Sequence, residues 1–148
     1  MSDDREKTML TKLQYGRERA AFGKALLNTV RIARDLHMPA LSLGEVEDLI
    51  FVCTAVLCSH AYGRPATAAS LSRTLELPRA TVGRKLRRLI ELGLVERDGP
   101  LFYCSERASC AGPAALKLQT KTFKNALAEV EEVPLASLWN GDDAALPG

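Results

Sequence analysis

Six cationic side chains, Arg79, Arg84, Lys85, Arg87, Arg88 and Arg97, lie between positions 79 and 97 and meet only two carboxylates, Glu91 and Glu96. The 148-residue chain as a whole carries a net charge of only +2, so its positive charge is concentrated here. A local basic patch on a near-neutral body is the electrostatic footprint of a surface that reads phosphate. Guanidinium groups can bond guanine O6 and N7 in pairs, and a lysine ammonium reaches the same acceptors or a phosphate. On a helix at roughly 100° per residue, Val82, Leu86, Leu89 and Ile90 cluster on one side. Thr81, Arg84, Lys85 and Arg88 cluster on another, which is the face expected to enter a major groove. Thr81, near the helix start, is placed to touch a thymine methyl or a phosphate. Arg87 points away from the others and reads as a solvated position. Thr67, Ser70, Arg79, Arg97 and Gly99 complete the expected contact set around double-stranded DNA.

Those residues need elements to hold them. From Asp3 to about Leu36 there is no proline, and Leu10, Leu13, Phe22, Leu26, Val30 and Ala33 recur at helical spacing. Pro39 closes that run. Its stripe is more than one small domain can cover, which implies a partner subunit. Gly16 and Gly23, seven apart, either allow close helix packing or, at Gly16, mark a break. Ser42 and Glu45 have the capping-box spacing, so a second helix is expected from about Leu43 to Ala61, burying Leu49, Ile50, Val52, Cys53, Val56 and Leu57. After Gly63-Arg64-Pro65, Thr67 caps a short helix carrying Leu71 and Leu75. Glu76-Leu77-Pro78 is a turn, and the next helix runs from Arg79 to about Leu92 and stops at Gly93. Leu94 to Arg97, Asp98-Gly99 and Leu101 to Cys104 read as a hairpin turning at Asp-Gly, with Pro100 able to lengthen the loop. Pro113 opens a last helix to about Val133 with Leu116, Phe123, Leu127 and Val130, and Pro134 ends it. Trp139 reads as an anchor for the tail, which is expected to be loosely ordered from Asn140.

Composition narrows the classes. Apolar residues make up 47% and charged residues 26%, a globular balance that excludes wholesale disorder. The first residues are charged rather than leader-like, and the longest apolar run, Leu49 to Cys58, is too short to span a bilayer. A cytoplasmic location without membrane contact is therefore expected. Cys53, Cys58, Cys104 and Cys110 are too sparse for a disulfide scaffold, and with His37 and His60 they form no zinc spacing. No metal or cofactor is expected. No nucleophile motif, glycine-rich phosphate loop or paired carboxylates appear, so the chain reads as a binder and not an enzyme.

The order helix, helix, turn, helix, hairpin over Leu43 to Cys104 carries the functional reading. The run from Thr67 to Arg97, TAASLSRTLELPRATVGRKLRRLIELGLVER, resembles the core of multiple-antibiotic-resistance-type (MarR-like) regulators. Its last part, Leu89 to Arg97, is similar to that family's recognition-helix end and the start of its wing. Gly83 stands where such proteins often have serine or threonine, Glu76 where many helix-turn-helices have glycine, and the short wing lacks an Asp-x-Arg pattern. The resemblance implies a mainly α fold: a winged helix-turn-helix with a small two-stranded β-wing, flanked by long N- and C-terminal dimerisation helices. The expected division is 1–40 for the N-terminal dimerisation helix, 41–110 for the DNA-binding core, 111–139 for the C-terminal helix and 140–148 for the tail. The implied function is that of a sequence-specific transcription regulator acting as a homodimer on DNA, with any small-molecule effector unspecified. A winged helix that joins proteins without touching DNA is the alternative.

Overall fold

The computed structural model describes residues 2–131, with side chains described except at positions 10–15, 17–18 and 131. Leu10 and Leu13 of the expected stripe, the helix end at Val133-Pro134, Trp139 and the tail from Asn140 therefore lie outside the described residues.

Helix α1 spans Ser2–His37, with Asp3 and Asp4 in its first turn and Arg34 and His37 in its last. The charges of Asp3, Asp4 and Arg34 oppose the partial charges at the two ends of the helix, whereas burial, and after it the nearby Arg107, lowers the His37 pKa and disfavours its cationic form. Helix α2, Leu43–Ala61, begins at Ser42 with the reciprocal cap expected from sequence. The Glu45 carboxylate accepts from the Ser42 N–H at 2.8 Å, and the Ser42 hydroxyl accepts from the Glu45 N–H at 3.3 Å. The bond from the Ser42 N–H, and after it one from the Ser42 side chain, hold the Glu45 carboxyl below the ordinary carboxylate range. α2 buries Val46, Leu49, Val52 and Val56. Ile50 and Cys53 are only half-buried and Leu57 is exposed, which corrects the broader stripe expected. Steps of three and four from Val46 define a narrow seam that leaves Leu57 on its flank.

Strand β1, Ala66–Thr67, leads directly into α3, Ala68–Leu75. The Thr67 hydroxyl caps the Ser70 N–H at 3.0 Å, while the Ser70 hydroxyl accepts from the Thr67 N–H at 2.9 Å. Glu76 closes α3 in the left-handed region, at φ 53°. This conformation strains a residue with a Cβ by about 1 kcal/mol or more, so Glu76 adopts the backbone for which glycine is usual. The turn is held instead by Ser72, whose hydroxyl donates to the Leu77 carbonyl at 2.6 Å.

Helix α4, Arg79–Glu91, starts from Pro78 and buries Val82, Leu86 and Leu89. It ends in a Schellman motif: the Gly93 N–H donates to Ile90 O at 2.9 Å and the Leu94 N–H to Leu89 O at 3.0 Å. Gly93 has φ +73°, as that motif requires.

The wing is β2, Val95–Asp98, and β3, Leu101–Cys104. Antiparallel pairing places Asp98 opposite Leu101, which leaves Gly99-Pro100 as the two loop residues. The turn is thus one residue later than the Asp-Gly expected. Gly99 supplies a positive φ of 56°, and proline cannot follow it into that region, which selects the type II′ turn over type I′. The sheet has three strands, ordered β1-β3-β2, not two. β1 pairs Ala66 with Phe102 and Thr67 with Leu101; two residues give no readable alternation, so the strand is invisible in the sequence.

A short helix α5, Glu106–Cys110, also went unanticipated. Its cap, Ser105, is 4% exposed, and its hydroxyl both donates to the Gly93 carbonyl at 2.6 Å and accepts from the Ala108 N–H at 3.1 Å. The Ser105 N–H donates to Leu94 O, and Arg107 Nη1 donates to Leu92 O at 2.7 Å. The α4 terminus and the wing are thereby tied to α5. Helix α6, Gly112–Glu131, follows.

The described residues group into two compact units, 29–119 and 2–28 with 120–131. The first holds the core that joins Val46, Leu49, Val52 and Val56 to Leu71, Val82, Leu86, Leu89, Leu94 and Phe102. In the second, the buried described side chains are small, namely Ala21 and Ala25 of α1 and Ala126 of α6, whereas Phe22, Leu26, Leu27, Phe123 and Leu127 are exposed. Among the described residues no helix is long and apolar enough to cross a membrane.

Ser105→Ala removes a buried hydroxyl that serves two backbone groups and leaves the Gly93 carbonyl unsatisfied. The expected loss is about 1–3 kcal/mol of folding stability, read as a lower denaturant midpoint with unchanged slope. A midpoint equal to that of the parent would show that the bond contributes nothing.

Candidate nucleic-acid interface

With Val82, Leu86 and Leu89 buried, geometry fixes what α4 turns outward. Positions near the opposite side of the helix are Ala80, Arg84, Arg87, Arg88 and Glu91, and all five are exposed. Arg79 at the helix start is exposed as well, and Thr81 is half-buried. The α4 face is cationic, yet its membership differs from the one read off the sequence.

Lys85 is the main departure. Only 13% of its side chain is exposed. Its ammonium donates to the backbone carbonyl of Asp48 on α2 at 2.6 Å and lies 3.0 Å from the Asp48 carboxylate. The expectation of Lys85 on the open face is therefore corrected. Lys85 is three residues after Val82 and four before Leu89, so it borders the buried stripe, and that spacing was legible. Arg87 is the converse. Set aside as a solvated position pointing elsewhere, it stands three residues beyond Arg84 on the open face. Among the described residues neither Arg79 nor Arg87 belongs to an ion pair.

The other cations have partners. Arg84 Nη1 lies 3.3 Å from the Asp48 carboxylate while its side chain stays 59% exposed. Arg88 Nη1 lies 3.3 Å from Glu91. Asp48 is held below the ordinary carboxylate range, first by the Lys85 hydrogen bond, against an opposing effect of burial, and then by Arg84. It remains an anion at any physiological pH. Nothing in its local sequence marks Asp48, because the contact joins α2 to α4 across 36 positions.

The wing flanks the same face. Arg97 Nε donates to the Gly99 carbonyl at 2.7 Å, and its guanidinium carbon sits 5.6 Å from the centre of the Phe102 ring. Arg97 thus braces the loop it belongs to, by a hydrogen bond and a cation–π contact. An open groove runs between the wing, the start of α3 and α4, with Thr67, Ala69, Gly83, Arg87, Arg97 and Pro100 on its walls. A Cβ added at Gly83 would meet nothing within 4 Å, so glycine there keeps the groove floor low and is not demanded by internal packing. Ser70 donates its hydroxyl proton to Thr67 O at 3.0 Å while accepting from the Thr67 N–H, and both residues serve the α3 cap. A second groove lies between the start of α2 and α4, bordered by Gly44, Glu45, Asp48, Arg84, Arg87 and Arg88. Of the expected set, Arg79, Thr81, Arg84 and Arg88 stand on α4 and Arg97 and Gly99 on the wing, whereas Lys85 of α4 and Thr67 and Ser70 at the start of α3 are turned to internal bonds.

The thiols are free. Burial pushes the Cys53 thiol up to about 12, with a smaller contribution from Cys104, and burial raises Cys104 against a lowering bond with Ser109. Beside them the Cys104 N–H donates to His60 Nδ1 at 3.1 Å, and the His60 and Tyr103 rings meet edge to face at 5.5 Å.

Comparison with known proteins agrees with this architecture. Residues 52–98 match a family model described as a helix-turn-helix domain. No curated protein matches the chain. A solved structure, "Structure of Disulfide formed AbfR", is similar with a TM-score of 0.53 at 14% sequence identity, covering 93% of this chain and 96% of that one. The fold is a mainly helical winged helix, and its helix-turn-helix segment carries the outward cations of α4.

Proposed function

We propose that the chain is a sequence-specific, double-stranded DNA-binding transcription regulator that acts as a homodimer of MarR-like type, with α4 in the major groove and the wing on the sugar-phosphate backbone. The observation that carries the reading is the outward face of α4, where Arg79, Arg84, Arg87 and Arg88 stand exposed beside Arg97 of the wing. An α-helix, about 10–12 Å across with its side chains, fits a major groove about 12 Å wide. The match of residues 52–98 to a helix-turn-helix model supports it.

Dimerisation through the helices at 1–40 and 111–139 rests on an inversion of the usual pattern. Alanines 21, 25 and 126 are buried, while Leu26 is 62% exposed, beside exposed Phe22, Phe123 and Leu127. A self-sufficient monomer would do the opposite, because each large apolar side chain gains about 1.5–3 kcal/mol on burial. A second copy is the occupant this reading assigns, since a two-fold interface uses the same patch on both subunits.

Three outcomes are expected. The first concerns DNA. Binding to duplex fragments should show log K falling linearly with log salt. Arg84→Ala should cost about 1–3 kcal/mol on a selected site and relax one base position. Arg97→Ala should weaken selected and random duplexes alike. Salt-independent or absent binding would favour the protein-adaptor alternative. The second concerns assembly. Light scattering at micromolar concentration should give a dimer, and Leu26→Lys with Phe123→Lys should give a helical monomer. A parent that scatters as a monomer contradicts the dimer. A dimer should prefer pseudo-palindromes with half-sites about 10 base pairs apart.

The third concerns oxidation. The printed title of the similar structure names a disulfide. Here the thiolate, which is the reactive form, is disfavoured at Cys53 and Cys104 by burial. Oxidation is therefore not expected to act through Cys53 or Cys104, and Cys104→Ser should respond to peroxide as the parent does; Cys110→Ser, at an exposed thiol, tests the same expectation of unchanged DNA binding. Oxidant-driven release that vanishes in either variant would establish a redox role.

A further inference from the structure

Among the described residues Asp48 is the one acidic side chain in ion pairs with two cations of α4 at once, yet it belongs to α2 and forms no part of the expected DNA contact set. Its carboxylate lies 3.0 Å from Lys85 Nζ and 3.3 Å from Arg84 Nη1. A second bond, from Lys85 Nζ to the Asp48 carbonyl at 2.6 Å, fixes the ammonium to α2. Arg84 is held differently: one nitrogen touches Asp48 while most of the side chain remains in the open. The same carboxylate therefore pairs with one cation whose side chain is largely covered and with another that stays mostly open.

We infer that Asp48 is a specificity-determining residue of the proposed DNA interface, acting by withholding Lys85 from phosphate and by aiming Arg84. This rests on the DNA-binding reading above. A phosphate contact carries no sequence information, and each additional neutralised phosphate raises affinity for every duplex equally. An ionised carboxylate at the rim also repels a misplaced backbone. Arg84, constrained on one side, meets a base edge in a narrower range of directions, and bidentate contacts reward such constraint. Asp48 thus lowers affinity for random DNA more than for the correct site. The other carboxylates of the region do not share this role. Glu45 is tied into the Ser42 cap, and Glu91 pairs with Arg88 three residues earlier on α4 itself.

The test uses the full chain, a random-sequence duplex and a duplex selected from a random pool by the parent protein. Asp48→Asn keeps the size and an acceptor oxygen while removing the charge. It should tighten binding to the random duplex severalfold, steepen log K against log salt by about one unit per subunit, and shrink the ratio of selected to random affinity. Lys85→Gln provides an independent arm. In the parent background it should leave the salt slope unchanged, because Lys85 is already neutralised, and in the Asp48→Asn background it should lower the slope by about one unit. The four proteins form a double-mutant cycle, with helical content and thermal midpoint measured for each. Slope and ratio unchanged in Asp48→Asn, or a slope lowered by Lys85→Gln in the parent, overturns the role of Asp48 while leaving DNA binding intact. A parent that binds no duplex at about 50 mM salt overturns both the role and the DNA reading on which it rests.

Discussion

Val82, Leu86 and Leu89 are buried against the side chains of α2, α3 and the wing, and this docking orients everything α4 presents. A helix has one rotational freedom about its axis, and three fully buried side chains at steps of four and three remove it. Once they are seated, Arg84 and Arg87 must face outward and Lys85 must lie along the border with α2. Shifting the buried stripe by a single residue would turn the helix by about 100° and bury an arginine. The ends of α4 are secured to match. Pro78 leads into it from a left-handed Glu76, and the Schellman turn at Gly93 passes into a clasp formed by Ser105 and Arg107.

The electrostatics of the face follow from this orientation. Ion pairs between exposed groups contribute little to stability, about 0–1 kcal/mol, so Arg84–Asp48 and Arg88–Glu91 are better understood as setting direction than as holding the fold. The buried stem of Lys85 is another matter, since its ammonium is bonded to a backbone carbonyl as well as a carboxylate. That bond joins α2 to α4 beside the apolar contacts and makes Lys85 part of the scaffold. On the wing, Arg97 similarly divides its side chain between bracing the Gly99-Pro100 turn and facing solvent.

The two units place their apolar weight in opposite ways. Residues 29–119 enclose a conventional core of leucines and valines. Among the described residues of the other unit the small ones are inside and the large ones outside. Small side chains let helices approach closely but bury little area, so such a unit has little to hold it unless the outer leucines and phenylalanines are covered. In the proposed dimer, folding and association are linked, with stability depending on protein concentration.

The sequence by itself determined most element boundaries. Capping at Ser42 and Thr67, the stop at Gly93 and the pattern of Val82, Leu86 and Leu89 are local signals, because a cap or a helical repeat is read within a few residues. The cationic character of α4 was legible for the same reason. Tertiary structure alone decided which cations remain on the surface. Asp48 neutralises Lys85 from 37 positions away, a distance at which sequence spacing carries no information. Strand β1 exists only because Phe102 and Leu101 lie alongside it, and Ser105 counts only because the Gly93 carbonyl is within reach. Local geometry is written in neighbouring residues, whereas the partner of a charge or a backbone group is chosen by packing, after distant segments have met.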